Sequence, residues 1–181
     1  FNYRKTGFAT PSGKVELYSK VLEDFGCDPL PYYRNVETSA DFPLKMFVGL
    51  REPQFFQSGQ RHNKRLRKSN RYPRTFVNPA DAASYNLTEG EWAKIETVAG
   101  RLFMMVTLRE DVPAGLIRVP HGWWLPEEKD LGAEDHNDGL VIPDDPEYLD
   151  KEQGIPHLKG VPCRITPCEA PREFVGIEAL Q

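Results

Sequence analysis

The sequence is poor in long apolar runs, in cysteine and in net charge. No segment of its 181 residues approaches the roughly 20 consecutive apolar residues that a membrane-spanning helix needs. Residues 1–14 contain no apolar core of the kind that a signal peptide carries. The formal net charge of −4 gives the molecule no general attraction to nucleic acid or to an anionic membrane. We therefore expect no direct membrane insertion and no nucleic-acid partner.

The three cysteines are an odd number, and their spacing does not repeat. Cys163 and Cys168 lie close enough in sequence to share a metal ion, but no second Cys or His pair with zinc-type spacing accompanies them. We therefore expect buried or free thiols and assign no metal ligand to the chain.

The sequence starts at Phe1 without an initiator methionine, in the middle of a pattern, as an excised piece of a longer chain would. Any targeting signal is expected upstream of Phe1. The sequence therefore leaves open whether the parent protein works in the cytoplasm or the periplasm of a bacterium or archaeon.

Sixteen prolines and fourteen glycines interrupt the sequence, which favours short strands and turns over long helices. One short helix is expected after Asn78, because Asn is a favoured N-cap and Pro79 suits the first helical position. Several short strands around one small helix predict a closed, mainly β barrel over residues 43–181. The predicted strands are 46–48, 75–77, 92–98, 101–108, 115–119, 140–142 and 162–166.

Residues 1–42 are predicted to be a lead-in and linker. Within them, Val15–Tyr18 is compatible with a strand, and Lys20–Phe25 with a short helix closed by Gly26. A single helix over Ser12–Phe25 is the alternative, because its apolar residues fall on one face.

Six short motifs follow one another along the chain. They are Gly7–Ser19 (GFATPSGKVELYS), Gly49–Arg51 (GLR), Ser58–Arg61 (SGQR) with Leu66-Arg67, Asn78–Ala82 (NPADA), Leu87–Trp92 (LTEGEW) and Pro120–Glu127 (PHGWWLPE). Each motif is weak alone, but their order resembles the tail of the DMSO-reductase-type molybdenum or tungsten enzymes, whose last domain is the molybdopterin-dinucleotide-binding domain. The resemblance covers nearly the whole chain.

This resemblance implies a double-psi β-barrel with a few short helices. It implies that the barrel closes over two molybdopterin guanine dinucleotides, which carry molybdenum or tungsten in the complete enzyme. The metal ligand and any iron–sulfur cysteines would lie on preceding domains of the same polypeptide, with an electron-transfer subunit as a further partner. We therefore expect the isolated chain to lack the cofactor and to be inactive alone. The parent is expected to be an oxidoreductase, although not every family member is a net redox catalyst.

The loop from Gly49 to Arg61 is the best candidate for contact with the cofactor. Glycine has no Cβ, so a strand running into Gly49 leaves a backbone that a ligand can approach closely. Arg51 and Arg61 offer planar, bidentate donors to pyrophosphate or pterin oxygens, and Ser58 offers a hydroxyl. The resemblance assigns to the cofactor Gly49, Leu50, Arg51, Gln57, Ser58 and Arg61. Gln57 stands where the family often has His, and a solvated surface loop is the alternative interpretation.

A second candidate follows the predicted strand 115–119. His121, Gly122 and Trp123 combine a titratable imidazole, a flexible glycine and an indole with stacking surface and one N–H donor. From the residues alone, core tryptophans beside a hydrogen-bonded His explain the motif equally well. The resemblance favours cofactor contact for these three residues and a core position for Trp124.

Two further residues are assigned through the resemblance alone. Asn137 matches an Asn in the family's Asn-x-Asn segment, and Lys159 matches a basic residue before the final strand. Either side chain can hydrogen-bond a pterin. Gly139 replaces the second Asn of that segment, and Val141-Ile142 replaces its Leu-Thr ending.

An alternative function comes from seven Lys and Arg residues within residues 61–74. Such a run favours a phosphate-binding face, so a nucleic-acid-binding β-barrel is the alternative hypothesis. Tyr72 is the only aromatic residue in the run, which gives base stacking little support. An independent pyruvoyl-dependent decarboxylase on the same barrel would need a Gly-Ser cleavage site, and the sequence contains none.

The acidic stretch Glu127–Asp150 is expected to be a solvated excursion or an interface with the preceding domains. His136 and Asp138, together with Asp144-Asp145, are residue types that bind metal ions and lie in one segment. Their loop is long and unpatterned, so no metal is assigned to them.

Overall fold

The computed structural model describes residues 1–126, 133–151 and 153–171, without the side chains of Leu50 and Ala133. Six strands form a closed barrel, so the prediction of a mainly β fold is confirmed. The strands are β1 (Leu44–Leu50), β2 (Arg74–Val77), β3 (Trp92–Glu96), β4 (Arg101–Leu108), β5 (Leu116–Pro120) and β6 (Lys159–Pro167).

The strand order around the barrel is β1, β5, β2, β4, β3, β6. β1 pairs with β5 and β2 pairs with β4 in parallel, whereas the other neighbouring strands are antiparallel. Parallel neighbours need crossover connections rather than tight hairpins. The two parallel pairs are nested in the chain, since β2 and β4 both lie between β1 and β5.

The core lies inside the barrel, because alternate side chains of each strand point inward. β4 shows this alternation clearly, since Leu102, Met104 and Val106 are almost completely buried while their neighbours are partly exposed. The predicted hairpin between β3 and β4 is confirmed, with Glu96 paired to Arg101 and the Thr97 N–H donating to the Gly100 carbonyl over 2.9 Å. The inward-facing residues therefore follow the sequence pattern closely.

Short helices connect the strands. Asn78 caps the helix that the sequence predicted, because its Oδ1 accepts the Ala80 N–H over 2.9 Å. Within the described ranges, no helix has the length and apolar character needed to cross a membrane. The helices are α1 (Tyr3–Thr6), α2 (Lys20–Asp24), α3 (Lys64–Ser69), α4 (Pro79–Ser84) and α5 (Ala133–His136), with 3₁₀ turns at Asp138–Val141 and Pro146–Tyr148.

Three local predictions are wrong. Val15–Tyr18 is not a strand, and the single helix over Ser12–Phe25 is replaced by the short α2, whose N-cap is Ser19. The strand predicted at 140–142 is instead a 3₁₀ turn followed by irregular chain. Its geometry is fixed by one local and one distant contact, because Asn137 Oδ1 accepts the Gly139 N–H and the Thr97 hydroxyl donates to the Val141 carbonyl.

Candidate functional site

Two loops meet at one end of the barrel. β1 and β5 run in parallel and end together, with Leu50 paired to Pro120. The first loop (residues 51–63) follows β1, and the second loop (residues 121–126) follows β5. Because parallel neighbours end at the same edge, the two segments singled out in the sequence are brought side by side.

The buried side chain of Arg61 contacts residues of both loops. Its guanidinium lies between the Phe55 ring, 4.5 Å from the ring centroid, and the Trp123 ring, 4.1 Å from the centroid. Its Nε donates to the Gly122 carbonyl over 3.2 Å. Arg61 and Trp123 are both 0% exposed. A cation held between two aromatic faces is favourable when it is removed from water, so this contact fixes the loops against each other.

Two buried N–H donors of this cluster have no acceptor among the described residues. Nη1 of Arg61 and Nε1 of Trp123 are buried and have no hydrogen-bond partner among the described residues. A buried N–H without an acceptor costs free energy, so such atoms mark places where a bound acceptor is favourable. The cluster therefore fits a ligand rich in acceptor oxygens or ring nitrogens.

A buried carboxyl group balances the charge of Arg61. Burial lowers the pKa of the Arg61 guanidinium to about 10, and the charge of Glu52 opposes that shift. Burial also raises the pKa of Glu52, while Arg61 and a hydrogen bond from Asn70 act in the opposite direction. Asn70 Nδ2 donates to Glu52 Oε2 over 2.7 Å. Arg61 therefore remains protonated at neutral pH, as a charged donor paired with Glu52 beneath the two loops.

His121 is held by a buried acid that the sequence interpretation left aside. Its Nδ1 lies 2.7 Å from Asp138 Oδ2, and the Gly122 N–H donates to Asp138 Oδ1 over 2.8 Å. The Asp138 side chain is 3% exposed, whereas that of His121 is 44% exposed. The imidazole is thus anchored on one side and open on the other.

Gly122 and Ser58 are in close contact between the loops. Gly122 has a φ of +66°, and a Cβ added there would lie 3.1 Å from Ser58 Cβ. The Trp124 indole N–H donates to the Ser58 carbonyl. Trp124 is half-buried while Trp123 is fully buried, so the prediction that Trp124 is the core tryptophan of the pair is wrong. Trp123, and not Trp124, packs against Arg61 and Phe55 of the first loop.

The remaining predicted residues of the first loop lie at its surface. Gly49 has a φ of +109° at a β-bulge of β1, a conformation that favours glycine. Arg51 is exposed and lines a cleft of about 190 Å³ with Phe76 and Arg118. Gln57 is exposed with a φ of +54°, and its carbonyl accepts from Arg61 Nη2 at 3.5 Å. The backbone of Leu50 ends β1.

Asn137 and Lys159 differ in their relation to the two loops. Asn137 Nδ2 donates to the Trp123 carbonyl over 3.4 Å, so this residue supports the second loop. Lys159 begins β6 opposite Phe47 and lines a separate cleft of about 460 Å³ with Val36 and Tyr148. In the described part of the chain, no hydrogen bond links Lys159 to either loop. Asn137 is therefore brought to the candidate site and Lys159 is not in direct contact with it.

The basic run at 61–74 does not form one exposed face. Arg61 and Arg67 are buried, and Arg74 begins β2. The middle of the run forms α3, which Asn63 caps through its side-chain oxygen. Lys64 and Lys68 are exposed on α3, whereas aromatic rings and a backbone carbonyl inside the domain contact Arg61 and Arg67.

Several residues of the site were missed by sequence reasoning. They are Glu52, Phe55, Asn70 and Asp138. Phe55 and Glu52 lie within the stretch already singled out, so an aromatic and an acid preceding a candidate arginine were available signals. Asp138 was considered only as part of an imitated metal site, because its distance from His121 in sequence gave no indication that the two would meet.

The barrel and its two adjacent loops form a domain that has two buried N–H donors without acceptors at one end, among the described residues. The family profile described as the molydopterin dinucleotide binding domain matches residues 46–162. The chain therefore belongs to the molybdopterin-dinucleotide-binding domains of the DMSO-reductase family. This match spans both loops, and nothing in the comparisons supports the nucleic-acid alternative.

Individual relatives agree with this assignment. Acetylene hydratase from Syntrophotalea acetylenica is 42% identical over 174 residues, covering 88% of this chain and 24% of the relative. Dopamine dehydroxylase from Eggerthella lenta is 33% identical over 139 residues, covering 71% of this chain and 14% of the relative. The solved acetylene hydratase from Pelobacter acetylenicus superposes with a TM-score of 0.83 at 40% identity, over 93% of this chain and 25% of that chain.

The chain spans only about a quarter of the length of the acetylene hydratases that it matches. These relatives are much longer proteins than this chain.

Proposed function

We propose that the two loops bind one end of a molybdopterin guanine dinucleotide, within an enzyme that carries two such dinucleotides and molybdenum or tungsten. The observation that carries this proposal is the open pair of buried donors, Arg61 Nη1 and Trp123 Nε1, beneath loops that lie inside the family match. A dinucleotide offers phosphate oxygens, ring nitrogens and carbonyl oxygens as acceptors. When bound, the cofactor's metal supplies the reactive centre of the complete enzyme.

The predicted residues have distinct roles in this proposal. Gly49 and Leu50 present backbone to the ligand, and exposed Arg51 provides a bidentate donor for phosphate. Ser58 and His121 line the space between the loops. The residues proposed to contact or position the cofactor at the two loops are Gly49, Leu50, Arg51, Gln57, Ser58, Arg61, His121, Gly122, Trp123 and Asn137. Lys159, which lines a separate cleft, is proposed to contact a different part of the cofactor.

Residues 1–42 are proposed to connect the barrel domain, residues 43–181, to preceding domains of the same polypeptide. Large apolar side chains of this segment are exposed, among them Leu17 at 82%, Phe25 at 79% and Tyr33 at 89%. These exposed side chains are available to pack against a neighbouring domain. The metal ligand is proposed to lie on those domains, with an electron-transfer subunit as a further partner, so the isolated chain is not catalytic.

Substitutions in the complete enzyme test this assignment. Ser58→Ala and Arg61→Lys each remove a hydrogen-bonding group and should weaken cofactor retention about fivefold or more. Arg65→Lys is the matched control, because Arg65 is exposed on α3 within the same basic run. Molybdenum, tungsten and pterin contents per enzyme are the measurements. Unchanged contents in both variants, with an unchanged melting temperature, would contradict the proposal.

The parent reaction is a separate proposal. Identity is higher to acetylene hydratase, at 42%, than to dopamine dehydroxylase, at 33%, or to dimethyl sulfoxide reductase DmsA from Haemophilus influenzae, at 26%. Hydration of acetylene is therefore the first reaction to assay on the complete enzyme. Formation of acetaldehyde would support it, and turnover of only a redox substrate would exclude it.

A further inference from the structure

The buried carboxyl group of Asp138 receives two donors that face it from different directions. The Gly122 N–H donates to Oδ1 over 2.8 Å, and His121 Nδ1 lies 2.7 Å from Oδ2. A carboxylate only accepts hydrogen bonds. The short Nδ1 contact therefore requires the hydrogen on Nδ1, and in a neutral imidazole this leaves Nε2 as a lone-pair acceptor.

Nε2 is the open side of this imidazole. The His121 side chain is 44% exposed, and its ring makes no other hydrogen bond within the described part of the chain. Gly122, the next residue, accepts from Arg61 through its carbonyl. The acceptor thus lies beside a cluster that otherwise offers donors.

We propose that Asp138 is a positioning residue that keeps the ring hydrogen of His121 on Nδ1, so that Nε2 accepts a hydrogen bond from a ring N–H of an aminopyrimidinone. This inference rests on the proposed function, because the pterin and the guanine of the dinucleotide share that ring edge. In both, an N–H lies between a carbonyl and an amino-substituted carbon. His121 Nε2 accepts the hydrogen bond from this N–H, while Arg61 and Trp123 donate to acceptor atoms of the cofactor.

A phosphate is a poorer occupant for Nε2. In the tautomer with its hydrogen on Nδ1, the Nε2 lone pair would face the lone pairs of a phosphate oxygen, which is unfavourable. Exposed Arg51, near Arg118 in the neighbouring cleft, is better suited to an anion. The two ends of a dinucleotide are thereby recognised by different chemistry.

The tautomer of His121 can be measured directly in this chain. Ring-nitrogen NMR at the basic end of a pH titration should show Nδ1 protonated and Nε2 unprotonated in His121. The exposed His62 and His157 serve as internal references for a ring outside the cluster. A His121 ring protonated on Nε2 would overturn the proposal without any variant.

Asp138→Asn should reverse the tautomer. The Gly122 N–H is a fixed donor, so the oxygen of Asn must face it and the amide NH₂ must face His121 Nδ1. Nδ1 then becomes the acceptor, and Nε2 carries the hydrogen. Asp145→Asn is the control, because Asp145 is exposed nearby and makes no side-chain cap. An unchanged His121 ring in folded Asp138→Asn would also overturn the proposal.

Ligand titrations test the recognition step. GMP and 6-hydroxymethylpterin present the ring N–H, whereas AMP presents a ring acceptor at the corresponding position. The chain should prefer GMP or the pterin over AMP by about tenfold, as expected for loss of one buried hydrogen bond. Asp138→Asn should abolish that preference, and Asp145→Asn should retain it. Whichever of GMP and pterin shifts the His121 ring signals identifies the end of the dinucleotide involved.

Equal affinity for AMP, or no binding of any probe, would overturn the recognition step. The outcome is separate from the test of the proposed function, which measures cofactor content in the complete enzyme. Cofactor loss in Ser58→Ala together with an Nε2-protonated His121 would retain the proposed function and reject this inference alone.

Discussion

At Arg61, a guanidinium lies between the rings of Phe55 and Trp123 with no exposed surface. The two rings also contact each other edge to face, with centroids 6.1 Å apart. This cluster is separate from the barrel core, which contains the inward residues of the strands. Individual side chains therefore hold the loops together, while the barrel fixes only where the loops start.

Phe55→Leu should lower the free energy of unfolding by about 1–3 kcal/mol, because it removes one aromatic face from Arg61 and loosens packing on Trp123. Phe56→Leu is the matched control. Phe56 is 77% exposed, so its replacement should change stability by less than about 0.5 kcal/mol. Urea denaturation measures both. Equal effects of the two substitutions would show that the cation–ring contact contributes nothing.

The buried carboxyl of Glu52 gives a pH-dependent prediction. Burial raises its folded-state pKa, so the folded state holds the proton more tightly than the unfolded chain. The stability of the wild type relative to Glu52→Gln should therefore decline as the pH rises from about 4 toward neutrality.

Glu96→Gln is a control of opposite sign. Its hydrogen bond to Arg164 lowers the pKa of Glu96, so the wild-type advantage over that variant should grow with pH. Denaturation midpoints across the pH series measure both slopes. Slopes of the same sign for Glu52 and Glu96 would contradict the described environments.

At the scale of the elements, the two loops are in close contact at Gly122. Gly122→Ala places a Cβ 3.1 Å from Ser58 Cβ at a φ of +66°, whereas Gly115→Ala has a φ of +81° and open space around the Cβ. Both carry the conformational cost of a positive φ, about 1 kcal/mol. Only Gly122→Ala should cost roughly a further 1–2 kcal/mol through the loop contact. Equal losses of unfolding free energy in the two variants would show that the loops move apart to accommodate the added Cβ without a measurable cost.

The sequence predicted the elements that are determined by neighbouring residues in the chain. α4 was found because Asn78 and Pro79 carry capping and first-turn signals, and the β3–β4 hairpin because apolar alternation flanks a turn. The 3₁₀ turn at Asp138–Val141 was missed, because Thr97, in the hairpin turn after β3, helps to fix it. α3 was missed because the side chain that it buries is Arg67. Arginine is ordinarily a surface residue, so the sequence gives no apolar signal for this helix.

The candidate site was predictable only in part. The two loops were found from their motifs, and the parallel pairing of β1 with β5 explains why they meet. Burial of Arg61 and the contact of His121 with Asp138 depend on tertiary placement. No spacing in the sequence indicates that residues 121 and 138 share a hydrogen bond.

For the whole molecule, the barrel and the preceding 42 residues are proposed to be separate units. A chain of residues 43–181 should keep one cooperative unfolding transition, because the core residues all lie from Leu44 onward. Calorimetry and amide hydrogen exchange measure this. A truncated chain without a cooperative transition would show that residues 1–42 are part of the folding unit.

The central claim is that this domain holds one end of a molybdopterin dinucleotide between its two loops. The most direct test is an experimental structure of the complete enzyme with its cofactor bound. The account predicts cofactor atoms within hydrogen-bonding distance of residues in loops 51–63 and 121–126, with acceptors on Arg61 Nη1 or Trp123 Nε1 and a ring N–H on His121 Nε2. A cofactor held entirely by other domains, with both loops facing solvent, would contradict it.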